Sequence, residues 1–210
     1  MGKAREKARA IACLNNLKQL GTSFMLYADE SDGYIKGPSY NLGSWVTANT
    51  HSQFGSNPYF EGIKNSKSGV LFCPSDPPHP DKFSVTEDIN QCYGMTFDTT
   101  SMPAGVVTPV SMDGRTVNFI KITRIKNSSK VALLGDSLLV GYNIPYCMIV
   151  PHASDKTYCL RHDMRTNLFY VDGHAEASDR YKLVEISKEA QNPREAIYAS
   201  FKDGTLIRVR

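Results

Sequence analysis

From Lys3 to Asp29 the chain has no proline and a single glycine, Gly21, while Ala10, Leu14, Leu17, Gly21, Phe24 and Ala28 recur at three- and four-residue steps. That spacing lays them along one stripe of an α-helix. At 1.5 Å per residue the helix is a rod of about 40 Å, longer than most helices of globular domains. Whatever folds behind it must offer a long apolar face to receive it. The first turns add little to that face: Lys3, Arg5, Lys7 and Arg9 stand against Glu6, and only alanines provide apolar surface before Ile11. This end is predicted to be a solvated helix end or the continuation of something longer. The helix is expected to stop near Asp29, because Glu30-Ser31-Asp32-Gly33 is a turn signal and Gly37-Pro38 follows. The expected organisation is a helical segment, 1–29, and a sheet domain, 30–210.

Charge follows the same division. Residues 1–29 hold five basic groups against Glu6 and Asp29, which accounts for the whole net charge of +3; the remaining basic and acidic residues balance at 19 each. The neutral body shows no stripe of Arg and Lys with interleaved aromatics, so nucleic acid is not an expected partner. No run of 18 apolar residues is present to span a bilayer.

Beyond the helix, short elements alternate with polar loops. Residues 38–69 scatter Tyr40, Trp45, Phe54, Tyr59 and Phe60 among Gly, Ser and Asn, with short helical turns expected near Ser44–Asn49 and Asn57–Ile63. Such irregularly spaced rings read as anchors holding a loop layer down, with a ligand platform as the weaker alternative. Gly69–Cys73 is a short apolar run closed by Pro74, and short strands are expected at Gln91–Phe97 and Val106–Val110. Phe119–Ile125 fits a strand or a short helix. The clearest sheet signals are the buried run Lys130–Asp136 and the segment Asn167–Val171, which meets Asp172-Gly173 before His174–Ala177. Asp-Gly between two strand-like runs predicts a hairpin with a type I′ turn. A second Asp-Gly, Asp203-Gly204, separates Ala196–Phe201 from Thr205–Val209. The fold class expected is α+β, one long helix against an antiparallel sheet with large loop insertions.

No residue pattern makes a strong catalytic motif. His162, Asp172 and His174, with Asp136 or Asp163, are suitable ligand types for a divalent metal. The competing role is structural: Asp172 accepting turn amides and His162 tying a loop to a strand edge. Gly135-Asp136-Ser137 lacks the nucleophile elbow, Cys159 and His162 lack an orienting partner, and no glycine-rich loop carries the Lys and hydroxyl that cradle phosphate. A calcium loop near Asp29, Asp32 and Gly33 lacks the EF-hand pattern. No catalytic residue, cofactor or metal is therefore assigned. Of the five cysteines, Cys73 with Cys92 and Cys147 with Cys159 bracket segments short enough to close as disulfides outside the cytoplasm, and reduced buried thiols are the alternative. Cys13, on the helix, is expected to be packed or unpaired.

Taken in order, several segments resemble one family, the pseudopilin-like proteins with a prepilin-type N-terminus. Ala4–Arg9, Cys13-Leu14-Asn15-Asn16-Leu17-Lys18-Gln19-Leu20-Gly21 and Tyr27-Ala28 are similar to the region after the membrane-spanning half of their first helix. Phe72-Cys73-Pro74-Ser75-Asp76 and Tyr93-Gly94-Met95 resemble their central loops. His162, nine intervening residues and Asp172-Gly173-His174 resemble their C-terminal signature, which marks His162, Asp172 and Gly173 as structural positions.

The resemblance implies a pilin-like fold and a non-enzymatic subunit of a type II secretion pseudopilus or type IV pilus-like assembly. It implies a leader removed by a prepilin peptidase, a methylated N-terminus and an apolar helix half preceding residue 3. The protein would be anchored in the inner membrane with its globular domain in the periplasm or outside. Its partners would be like or related pilin subunits and the secretion machinery, with Leu14, Leu17 and Phe24 packing partly against the sheet and the helix extension against neighbours. An extracellular module binding an exported protein or a glycan on the same scaffold is the alternative, and a metal-dependent hydrolase a more distant one.

Overall fold

The computed structural model describes residues 2–38, 44–50, 57–60, 69–76, 91–96, 102–112, 115–188 and 196–209. Helix α1 spans Gly2–Glu30, ending within one residue of the expected position. The chain reverses through Asp32 and Gly33, both at positive φ, and the Gly33 N–H returns to the Ala28 carbonyl at 2.8 Å. Among the described residues no helix is long and apolar enough to cross a membrane.

Three sheets follow. Strands β1 (Tyr34–Lys36), β3 (Val107–Met112) and β4 (Arg115–Lys121) form an antiparallel sheet in the order β1-β4-β3. The central sheet has five strands, β2 (Gly94–Thr96), β5 (Ala132–Gly135), β7 (Met148–Ile149), β9 (Thr166–Tyr170) and β10 (Ala175–Ser178), in the order β10-β9-β5-β2-β7. Its pairs are antiparallel except β2 with β7. The third holds β6 (Ser137–Leu139), β8 (Lys156–Cys159), β11 (Tyr198–Ser200) and β12 (Leu206–Arg208) in the order β12-β11-β8-β6. The pair β11–β12 closes around the expected turn, with the Gly204 N–H on the Phe201 carbonyl at 3.0 Å. Two short α-helices, α2 (Trp45–Thr50), near its expected position, and α3 (Arg180–Lys188), stand beside 3-10 turns at Pro58–Phe60, Ile122–Arg124 and Ser128–Lys130. Helix α3 is absent from the sequence expectations although Asp179 caps it, accepting the Tyr181 and Lys182 N–H groups at 2.9 and 3.0 Å. The α+β class is as expected, with a long N-terminal helix on a largely antiparallel sheet.

The period of two along β9 sorts the core. Phe169 and the following Val171 join the cluster built on α1, with Leu17, Leu20, Phe24, Met95, Leu133 and Leu134. Leu168 and Tyr170 point the other way, to Ala132, Ile149, Tyr158, Ala199 and the α3 residues Leu183 and Ile186. The central sheet is thus covered on both faces. Helix α1 shares its core with segment 30–210, so the boundary expected after residue 29 divides the sequence but not the packing.

Gly69–Cys73, the short apolar run closed by Pro74, forms turns and bends. The Asp172-Gly173 turn is not type I′, which needs two positive φ values: only Gly173 has one, at 92°, and its N–H bonds the Tyr170 carbonyl at 3.0 Å. A two-residue turn that does have both positions at positive φ is Asp163-Met164, at 51° and 64°, where His162 and Arg165 exchange N–H···O bonds of 3.0 and 3.1 Å. The cysteine environments also differ from the expected pairs. All five thiols are free and buried, as in the reduced alternative; Cys73 lies beside Cys13 and His162, and burial, with Cys147 nearby, pushes the Cys92 thiol up.

Gly21 is where α1 meets β9 most closely: a Cβ there would stand 2.3 Å from the Phe169 ring. In an exposed helix interior Gly→Ala is worth about 1 kcal/mol of stabilisation, but a methyl forced against a fully buried ring costs about 1–3 kcal/mol. Overpacking wins, so Gly21→Ala is expected to lower stability by about 1–2 kcal/mol, read as a fall in the urea midpoint at unchanged slope.

Candidate functional site

Where α1 passes the start of β9, four elements bring together Cys13, Cys73, Asp136 and His162, whose ligand-type atoms all lie within 4.8 Å of one another. Cys13 comes from the fourth turn of α1. Cys73 comes from the turn 69–76, held to the helix by Asn16, whose amide donates to the carbonyls of Gly69 (3.2 Å) and Phe72 (3.1 Å), and by the Tyr93 hydroxyl on the Phe72 carbonyl (3.1 Å). Asp136 sits between β5 and β6 and joins two sheets: its N–H bonds the Asn167 carbonyl and its carbonyl accepts the Cys159 N–H. His162 opens the strained Asp163-Met164 turn that leads into β9.

Inside the cluster the Cys13 thiol donates to Asp136 Oδ1 at 3.2 Å, and Cys73 Sγ lies 3.2 Å from His162 Nε2. The same Nε2 is 3.6 Å from Asp136 Oδ2, which also accepts the Asn167 N–H at 2.8 Å. The other face of the imidazole turns to the helix, with Nδ1 at 3.4 Å from Glu6 Oε1; Glu6 is in turn held by the Ser75 hydroxyl at 2.7 Å. Beside the cluster the buried Arg161 makes an ion pair with Asp76, approaches Asp136 Oδ1 with Nε at 3.6 Å, and donates to the Ser137 carbonyl at 2.6 Å.

Burial drives the electrostatics. It raises the Cys73 thiol, but its contacts with Cys13 and the His162 ring and the charge of Arg161 outweigh it and bring the group down to about 4. Burial pushes the Cys13 thiol well up, reinforced by Cys73 and Asp136. It also raises the Asp136 carboxyl, helped by the Cys73 charge and opposed by the Asn167 N–H and the Cys13 thiol. Two sulfurs, a carboxylate and an imidazole therefore crowd one dry volume, and the guanidinium beside them is already engaged by Asp76. Such a donor set suits a transition-metal ion, with Glu6 as the outer carboxylate on the histidine.

The sequence brought His162 and Asp136 forward as metal-type residues, and the structure joins them. It does not bring in Asp172 and His174, which pair with each other on the exposed hairpin, His174 Nδ1 lying 2.5 Å from Asp172 Oδ1. Strand β9 separates His162 from Asp172 by roughly 17 Å at about 3.3 Å per residue. Asp163 faces solvent on its turn. The calcium-loop candidate Asp32 is taken by Lys121, whose ammonium lies 2.7 Å from its carboxylate. The Ser137 hydroxyl is spent on the Tyr146 carbonyl at 2.5 Å. Sequence reasoning missed Cys13 and Cys73 as members of a cluster, because the four residues share no linear spacing. The signal was only that a helix cysteine and a Cys-Pro turn occur in the same chain as a histidine, His162, placed ahead of a strand.

The ring anchors are resolved as well. Trp45 and Phe60 are fully buried against Phe24, with centroids 5.4 and 4.8 Å from it, and the Trp45 indole donates to the Tyr93 carbonyl at 2.8 Å. Tyr59 bonds Glu30 Oε1 at 2.5 Å. Tyr40 and Phe54 lie outside the described residues.

No family model, no curated protein and no solved structure matches this chain.

Arg161 is the buried cation on which Asp76 and Asp136 depend. Removing one partner of a buried ion pair strands the other, at about 3–5 kcal/mol. Arg161→Ala is therefore expected to lower the unfolding free energy by about that amount, measured by chemical denaturation under reducing conditions.

Proposed function

We propose that the protein is a non-enzymatic, pilin-like structural subunit of a pseudopilus or type IV pilus-like assembly. The observation that carries this reading is the division of α1 into a buried stripe and a free end. Cys13, Leu17, Leu20, Gly21, Phe24 and Ala28 are buried on the sheet, whereas Gly2 to Arg9 are exposed apart from the half-buried Glu6. On the opposite face Ile11 and Leu26 are 62% and 43% exposed, and successive turns of 100° place them within about 60° of each other. Leu17 and Phe24 serve the chain's own core and Leu14 is half-buried. The surface offered to another subunit is then the Ile11–Leu26 face together with the basic first turns.

The resemblance to prepilin-type proteins supplies the rest: an apolar helix half ahead of residue 3 that anchors the subunit in the inner membrane, a methylated N-terminus, and like or related subunits as partners. Closure of the cluster supports a structural over a hydrolytic role, since Cys13, Asp136, Cys73 and His162 are all at most 4% exposed and offer a substrate no approach. The burial of Trp45 and Phe60 likewise weakens a glycan platform among the described residues.

Two measurements test the reading. Mass spectrometry of the protein from its own cells is expected to find a methylated N-terminal residue upstream of Lys3, in the membrane or filament fraction. A photo-crosslinker at Ile11 is expected to give subunit–subunit adducts that fall at least about tenfold on Leu26→Glu, a change at an exposed position that should leave stability within about 0.5 kcal/mol. An unmodified protein that stays monomeric in the soluble fraction would sink the proposal.

A further inference from the structure

We infer that Cys13, Cys73, Asp136 and His162 form a tetrahedral binding site for zinc or a similar thiophilic dication, and that the bound ion clips the first helix to the central turn and the sheet. Four ligands about 2.0–2.3 Å from a zinc ion at the vertices of a tetrahedron stand about 3.3–3.8 Å apart. Neighbouring donor atoms here lie at 3.2 Å (Cys13 Sγ to Asp136 Oδ1) and 3.2 Å (Cys73 Sγ to His162 Nε2), and one ligand atom from each of the four residues lies within 4.8 Å of the others. Two sulfurs and one imidazole select zinc-type ions over calcium and magnesium, which take oxygen.

The surroundings are those of a ligand set. Nε2 of His162 faces the other donors while Nδ1 has no hydrogen-bond partner of proper geometry and lies 3.4 Å from Glu6, the position of an outer carboxylate that fixes a ligating imidazole. Asp136 keeps one oxygen on the Asn167 N–H. Charge gives the second argument. Without a cation, two thiols, Asp136 and Asp76 share one guanidinium and one imidazole in a volume closed to water, and Arg161 is already committed to Asp76. Both sulfurs ligate as thiolates, so binding passes the protons they carry to solvent. Two thiolates and one carboxylate carry three negative charges, a dication leaves one, and Arg161 stands beside it. The four ligands come from four separate segments, so the ion ties α1 to elements up to 149 residues away in sequence, from Cys13 to His162. This inference is independent of the assembly role.

The test uses the full chain, purified, reduced and stripped of metal. Elemental analysis after zinc loading is expected to give one ion per chain. Cobalt(II) is expected to give the visible bands of a tetrahedral site with thiolate-to-metal charge transfer. Zinc should raise the thermal midpoint, and calcium and magnesium should not. Cys13→Ser and Cys73→Ser are each expected to weaken zinc binding at least about a hundredfold and to remove part of the charge-transfer intensity. Glu6→Gln, at a half-exposed helix position, should fold normally and weaken binding by about 10–100-fold; it carries the test if a cysteine variant does not fold. The inference is overturned by a reduced, folded protein that takes up no zinc, by zinc affinity unchanged in all three variants, or by a Cys13–Cys73 disulfide in the protein isolated without reductant.

Discussion

The approach of α1 to β9 through Gly21 fixes the rest of the molecule. With no side chain at that position the helix axis comes down onto Phe169, whose ring fills the space a Cβ would need. That one contact sets the height of the helix over the sheet. At that height Leu17, Leu20 and Phe24 reach the central core, and the Asn167 amide, two residues before Phe169 on the same face of β9, donates to the Ala10 carbonyl at 3.0 Å. Cys13 lies between Ala10 and Gly21 and is thereby delivered to Asp136. A helix held farther out by an alanine would lose both the polar contact and the thiol's reach.

The polar cluster and the apolar core are consequently parts of one docking arrangement. Burying Asp136, Arg161 and Asp76 together is not by itself a stabilising step, because desolvation of each group offsets most of the attraction. What such a network supplies is definition. An apolar stripe on a sheet can slide or rotate by a turn at small cost, but only one register places Cys13 on Asp136, Asn16 on the 69–76 turn and Glu6 on His162. In the proposed assembly this matters mechanically, since force along α1 would be transmitted to the sheet through those contacts and not through apolar packing alone.

The sequence carried the periodic parts of this structure and little of the converging parts. The helix, its stop before Gly33, the strands around Leu134 and Phe169, and the Asp203-Gly204 hairpin each announced themselves over a few consecutive residues. The Asp163-Met164 turn did not, because Met is not a usual occupant of positive φ; the fold imposes that conformation on Met164 where His162 faces the helix. Helix α3 was missed through its polar run, although Asp179 at its cap was a readable signal. The cluster was invisible for another reason: its four members stand 13, 73, 136 and 162 residues along the chain, and only tertiary packing makes them neighbours. Disulfide reasoning from loop length paired Cys73 with Cys92 because it had no access to the helix that brings Cys13 alongside.

The nine-residue interval between His162 and Asp172 acquires a physical meaning in this light. It is the length of one tight turn, the five residues of β9 and the start of the next turn. At one end the turn aims His162 toward α1; at the other Asp172 accepts the His174 N–H at 3.1 Å and Gly173 supplies the positive φ that starts β10. The interval cannot change by one residue without penalty. A single insertion or deletion in β9 would exchange its two faces, sending Phe169 toward α3 and Leu168 toward Gly21, and would turn Asn167 away from both Ala10 and Asp136. The spacing is therefore a constraint of strand register. His162 and Asp172-Gly173 belong, in the fold, to the pair of turns that hold one strand at the correct phase beneath the helix.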